Sequence, residues 1–267
     1  MAKPLTIKPV HPNAGIAAAY RRAMVAEVGA MHEAFVDWLA GAWANHPPEM
    51  AQDRSPAEAL QAALTDLGGL WLRRFDDLAL RLARHFTLAA SRRSDAALMA
   101  ALKRAGFAVR FSISRKVEDV VAASVAENVT LIKSIASQYL TQVEGAVMRS
   151  VQTGRDLGAL TDELTHFYGV SKRRAAFIAK DQNNKATASV VRARQVEVGV
   201  TQAIWLHSAG GKHPRPTHVR AGKDRTVYDV KDGWLDPALN RRIWPGTEIN
   251  CRCVSRSIVP GLERRAA

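Results

Sequence analysis

The chain has 267 residues, of which 47% are apolar, with 38 Lys and Arg against 25 Asp and Glu, a formal net charge of +13. That length and composition suffice for one sizeable core or two modest ones. Two cysteines exclude a disulfide scaffold, and no uninterrupted apolar run approaches the ~20 residues that span a bilayer. The opening Met1-Ala2-Lys3-Pro4 is followed by no apolar stretch, so no secretory signal is expected. The charge excess is concentrated late: residues 201–267 carry 12 bases against 6 acids. Such an excess favours polyanions through counterion release, although 27 Arg to 11 Lys also fits an Arg-biased solvated surface. No zinc-finger or other nucleic-acid signature accompanies it.

In chain order, Pro4, Pro9 and Pro12 keep the first dozen residues extended, either wrapping something or free. A helix runs from Asn13 to the stop at His46-Pro47-Pro48, with Tyr20, Met24, Val28, Met31, Phe35 and Leu39 at three-four spacing. Ser55-Pro56-Ala57-Glu58 forms a capping box for a second helix with a stripe from Leu60 to Phe86, and Gly68-Gly69 marks a kink or a close crossing. Ser94-Asp95 caps a separate short helix that Gly106 closes. The alternation from Phe107 to Ile113 predicts a short strand or an extended hinge.

The longest helix is expected from Arg115 to Thr153, closed by Gly154, with an apolar face from Val117 to Val147. A helix over Leu157–Tyr168 and another from a Ser171 cap to Glu197 follow, the latter ended by Gly199. Lys172, Arg173 and Arg174 fall in the first turn of that last helix, against the dipole preference, as a candidate anion or DNA contact or a solvated turn. Thr201–His207 reads as a strand. The expected fold is mainly α with a small C-terminal α+β module and a short antiparallel sheet. The division is a helical region over 1–112, then a long helix plus module over 113–267, irregular at about 200–260.

Uncommon residues gather between Trp205 and Cys253, which hold three of six Trp, three of eight His and both Cys. His213 and His218 flank Pro214 and Pro216, so the pair is expected in an extended loop. Cys251 and Cys253 are two apart, which in extended backbone puts both thiols on one face and Arg252 on the other. Two thiolates and two imidazoles suit one tetrahedral structural zinc, and a Gly/Pro-rich module benefits from such a staple. Simple packing of small cysteines is the alternative. A metal-dependent nuclease site using His213, His218 and Asn250, or a Cys251 nucleophile beside a histidine, lacks any spacing that fixes a base or a phosphate grip. Trp205, Trp234 and Trp244 read as the module's own core. Arg241 and Arg242 are a further candidate anion contact.

The order of these features, with Arg215-Pro216-Thr217-His218 and then Pro245-Gly246 before Asn250-Cys251-Arg252-Cys253, resembles the phage Mu F-like minor head proteins over about residues 140–258. Lys180-Asp181-Gln182 departs from the family, which usually has an Arg-Thr-Glu-like triplet there. The resemblance implies a non-enzymatic minor capsid protein of head morphogenesis in a tailed phage or prophage. It would be present in several copies near the portal, touching portal and capsid proteins and, non-specifically, DNA being packaged or ejected. Its place would be the virion, in the head interior or at the portal vertex, after assembly in the host cytoplasm and without a membrane. A metal-dependent nuclease and a sequence-independent DNA-binding protein are the competing classes.

Overall fold

The computed structural model describes residues 4–45, 56–112, 114–153, 156–211 and 213–263. In chain order the elements are β1 (Pro4–Thr6), α1 (Ala14–Asn45), α2 (Pro56–Arg104), α3 (Arg115–Gln152) and α4 (Leu157–Glu197). Then come β2 (Gln202–Leu206), α5 (Pro216–Lys223), β3 (Val227–Asp229), β4 (Trp234–Asp236), β5 (Arg241–Ile243) and β6 (Val254–Glu263). The fold is mainly α with a small C-terminal α+β module, as the periodicities predict. The His46–Pro48 stop, the Ser55 cap and the closing Gly154 lie outside the described residues.

Two pairs of predicted helices are each one helix. Ser94 sits inside α2, where its hydroxyl donates back to Ala90 O at 2.7 Å and caps nothing. Gly169 and Ser171 lie likewise inside α4, and Ser171 is buried. A mid-helix glycine costs about 1 kcal/mol, which burial of the flanking Leu164, Ala175 and Ile178 outweighs. Lys172, Arg173 and Arg174 are consequently mid-helix, with no dipole to oppose. The predicted stops hold where φ is positive. Gly106 (φ 92°) and Gly199 (φ 75°) follow α2 and α4, and the next amides reach back to Leu102 O at 3.0 Å and Gln195 O at 2.9 Å. Caps not foreseen are Asn13, Ser114 and Asp156, whose side chains accept amide protons at the starts of α1, α3 and α4.

The chain forms two compact units. One is built from Ala18–Ala83 and Ala126–Ala179. Its helical core includes Met24, Val28, Met31 and Phe35 of α1, Trp71 and Phe75 of α2, and Ile132, Ile135, Val143 and Val147 of α3. Two polar pairs lie in this core: Tyr20 donates to Asn128 at 2.9 Å, and His32 meets Tyr139 at 2.9 Å while stacking on Tyr168. Burial pushes the Tyr20 and Tyr139 hydroxyls above the ordinary tyrosine value. At Gly68 a Cβ would stand 3.9 Å from Leu140, an ordinary contact, so no helix approach requires glycine at that position. By length and composition α3 has an apolar window able to cross a membrane, which a search for uninterrupted runs passes over. Its Asn128 and Tyr139 are nonetheless buried and bonded inside this unit.

The other unit comprises Met1–Ala17, Arg84–Val125 and Lys180–Ala267. Its main sheet is antiparallel in the order β1-β6-β2-β3, and β4 pairs with β5 separately. The N-terminal segment wraps this unit's own sheet: β1 pairs with β6, and Ile7 and Val10 join a core with Leu98, Leu102 and Val191. Phe107 to Ser112 has no regular structure, and no strand forms there. Gln195 ties α4 to β6 through Ser255 and Ser257 at 3.0 and 2.8 Å. Arg194, buried, donates to Asp95 through Nε and Nη2 and to Glu197 and Ser112 O through Nη1.

Candidate metal centre

The module's core is the predicted one. Trp205 on β2 is fully buried, with Ala203, Ala221, Tyr228, Val230, Ile243 and both cysteines around it and Trp234 and Trp244 packed against it. Enclosing a tryptophan removes roughly 200 Å² from water, on the order of 5 kcal/mol before entropy is counted. Its ring meets His218 edge-on at 4.9 Å and Trp234 at 5.1 Å.

His218 lies in the first turn of α5, not in a loop, because Pro216 occupies the opening helical positions, where its missing N–H is not needed. Gly222, one turn on, lets α5 press against β2: a Cβ there would fall 2.3 Å from His207 Cβ and 2.8 Å from its backbone nitrogen. Gly222→Ala should therefore lower stability by about 2–3 kcal/mol, measured by urea unfolding, since backbone cannot yield as a flexible side chain can.

The cysteines lie just before β6, where the Cys251 amide closes a turn onto Glu248 O at 2.9 Å. Both sulfurs face His218 Nδ1, Cys251 Sγ at 3.5 Å and Cys253 Sγ at 3.9 Å, while Arg252 points the other way to Gly210 O. The alternation expected of Cys-Arg-Cys thus holds without a ladder. The loop is fixed from α4, where Asp181 accepts the Asn250 amide at 2.5 Å and Asn184 donates to Cys251 O at 3.1 Å. Gly246 makes the turn before it with φ 87°, and a Cβ there would meet Ala188 Cβ at 2.9 Å.

The candidate ligand atoms of His218, Cys251 and Cys253 lie within 4.8 Å of one another, and the three residues are 2%, 4% and 4% exposed. His213 is exposed and stands outside this group, so the four-ligand set reduces to three. Pro214 and Pro216 limit how the backbone turns back between the two histidines. Among the described residues no fourth His, Cys, Asp or Glu joins the cluster.

The electrostatics favour negative charge on the sulfurs. The hydrogen bond from the Cys253 thiol draws Cys251 down to about 4, against burial and with help from His218 and the backbone amides of Cys253 and Gly246. The same hydrogen bond, then burial and the Cys251 charge, push Cys253 up, opposed by Trp205 and the Ser208 amide. The Trp205 indole N–H meets no conventional acceptor. The pair thus holds one proton tightly between two sulfurs, a place that a thiophilic cation can take. Thiolate, imidazole and a carboxylate in a row also suit a covalent nucleophile, but burial keeps a substrate carbonyl out.

The candidate anion contacts are dispersed. Lys172 covers the Tyr168 ring at 4.6 Å, Arg174 donates to Ser134 at 2.8 Å, and Arg173 is exposed. Arg241 pairs with Glu248 at 2.8 Å and Arg242 donates to Gly233 O at 2.9 Å.

The family described as Phage Mu protein F like protein matches residues 141–256. An uncharacterized protein of Haemophilus influenzae is 34% identical over 154 residues, which is 57% of this chain and 32% of that protein. The chain therefore spans about a third of that relative's length. No solved structure matches. The match runs from the later part of α3 through the cysteine loop into β6, so the likeness to the Phage Mu protein F like family covers residues 141–256 and includes the His218, Cys251 and Cys253 cluster.

Proposed function

We propose that the chain is a structural component of head morphogenesis in a tailed phage or prophage, a minor capsid protein placed near the portal vertex, whose C-terminal module is closed by one zinc ion. The observation that carries this reading is the coincidence of the family match with the region that ends on the His218, Cys251 and Cys253 cluster. Two sulfurs and one imidazole are the donors that borderline-soft zinc prefers. Portal and capsid proteins are the main partners in this reading, and packaged DNA is a non-specific neighbour met through the +13 charge.

Catalytic turnover is not part of the proposal. The basic pairs are spread over several elements, and Arg74, Arg241 and Arg242 already have partners within the protein. Charge distributed in that way neutralises nearby DNA without positioning a scissile phosphate. A metal-dependent nuclease would need phosphate to reach the metal, and the three ligands are buried.

The test is assembly. Truncation before Trp205 should abolish incorporation into heads, and charge reversal at Arg21-Arg22 should leave incorporation largely intact. Incorporation of the truncated chain with a full yield of infectious particles would refute the proposal. So would metal-dependent plasmid cutting by purified protein that His218→Ala removes.

A further inference from the structure

Asp236, at the end of β4, is 0% exposed. Buried carboxylates are retained where something receives their charge. Its Oδ1 accepts the Ala238 amide at 2.8 Å, and its Oδ2 accepts the Thr217 hydroxyl at 3.1 Å. The residue opposite it across the strands, Arg241, turns away to Glu248. Asp236 Oδ2 instead stands 3.4 Å from His218 Nε2, a ring nitrogen with no conventional hydrogen bond of its own. On the other side of the same ring, Nδ1 faces both sulfurs.

The two nitrogens of an imidazole aim their donor and acceptor directions apart. A cation held by Nδ1 and the sulfurs is therefore out of reach of Asp236, which can act only through the ring. We propose that Asp236 is the positioning residue of the metal centre. Its carboxylate accepts a hydrogen bond from His218 Nε2–H and so fixes the tautomer that presents the Nδ1 lone pair to a thiophilic divalent cation between Cys251 and Cys253. A metal on Nδ1 makes Nε2–H a stronger donor, which shortens the present 3.4 Å contact. Thr217, the residue before the ligand, clamps the carboxylate, so one turn of α5 supplies both the imidazole and the grip on its support. This inference rests on the metal reading of the same site.

Cobalt(II) alone, titrated into full-length, metal-stripped, reduced protein, tests both. Wild type should develop thiolate charge-transfer absorption that saturates at about one equivalent. Asp236→Asn should bind cobalt roughly 10- to 100-fold more weakly, the loss typical of an outer carboxylate. In zinc-loaded wild type, long-range 15N spectra should show His218 protonated at Nε2 and metallated at Nδ1. A merely structural Asp236 would lower stability with and without metal alike and leave the affinity unchanged. Metallation at Nε2, or an Asp236→Asn affinity within about threefold of wild type, overturns the proposal and leaves the metal site standing. No charge-transfer band in wild type overturns the metal reading and this inference with it. Should Asp236→Asn not fold, the wild-type tautomer decides alone.

Discussion

Replacing Cys253 by Ser, or His218 by Ala, is expected to take zinc from about one per chain in the wild type to near zero, by elemental analysis of reduced protein. Each change removes one of only three clustered donors, and two remaining donors hold a divalent cation poorly in competition with water. Structural zinc in small modules binds with roughly 10 kcal/mol or more at neutral pH, and that energy stabilises the folded form because the unfolded chain holds no preformed site. The variants should therefore lose more stability than any packing defect in the module causes. A chelator separates the two contributions. It should lower the unfolding midpoint of the wild type and leave that of Cys253→Ser unchanged. Equal midpoints for wild type with and without chelator would mean that the cysteines simply pack.

The second large effect belongs to Arg194. Arg194→Ala should cost about 3–5 kcal/mol by urea unfolding at neutral pH, the range for breaking a buried ion pair from one side. Its guanidinium makes two 2.8–2.9 Å bonds to Asp95 and a third to Glu197, and its removal leaves two half-buried carboxylates facing each other's charge. Combining Arg194→Met with Asp95→Leu should recover more than half of the loss, because the desolvated charges go together. An additive double variant would show that the ion pair is not the source. Burial works to raise the Glu197 pKa, but hydrogen bonds from Ser114 and Arg194 outweigh it, and the group sits below the ordinary 4.5. A depressed carboxylate stabilises fully above its unfolded value and loses that stabilisation as pH falls through its folded value. Stability should accordingly fall with acidification only below about pH 4.5 on this account, and less steeply in Arg194→Ala.

Helix existence was legible because burial follows periodicity over many turns, as Met24 to Leu39 and Ile132 to Val147 show. Helix stops were legible at Gly106 and Gly199, where the backbone adopts a φ that other residues resist. Ser94 and Ser171 misled because a serine hydroxyl serves a cap and a helix interior equally well, and only the surrounding burial decides. Strand β1 was illegible: three residues starting with proline show no alternation, and their partner lies at the far end of the chain. In the candidate centre, rarity and spacing singled out His218, Cys251 and Cys253. His213 was grouped with them through nearness in sequence, although two prolines govern where each histidine goes. Asp236 was missed because Asp before Pro reads as a surface turn. Its one signal was its place beside Trp234 in a short apolar strand. Arg194 was hidden in a basic stretch, and its i,i+3 spacing to Glu197 was the available sign.

The pairing of Thr6 with Ile258 sets an order of events during synthesis. Strand β1 leaves the ribosome early and waits for a partner made about 250 residues later. At ~5–20 residues per second that delay is roughly 12–50 s. For that time Ile7 and Val10 lack the strand beside which they are buried, and the two cysteines do not yet exist. The sheet and the centre therefore form only after translation has passed β6, whereas the helical unit of Ala18–Ala83 and Ala126–Ala179 is fully synthesised well before. A ribosome that stalls before residue 251 releases a chain with folded helices and no closed module, which leaves proteases a means of telling incomplete subunits from finished ones before assembly.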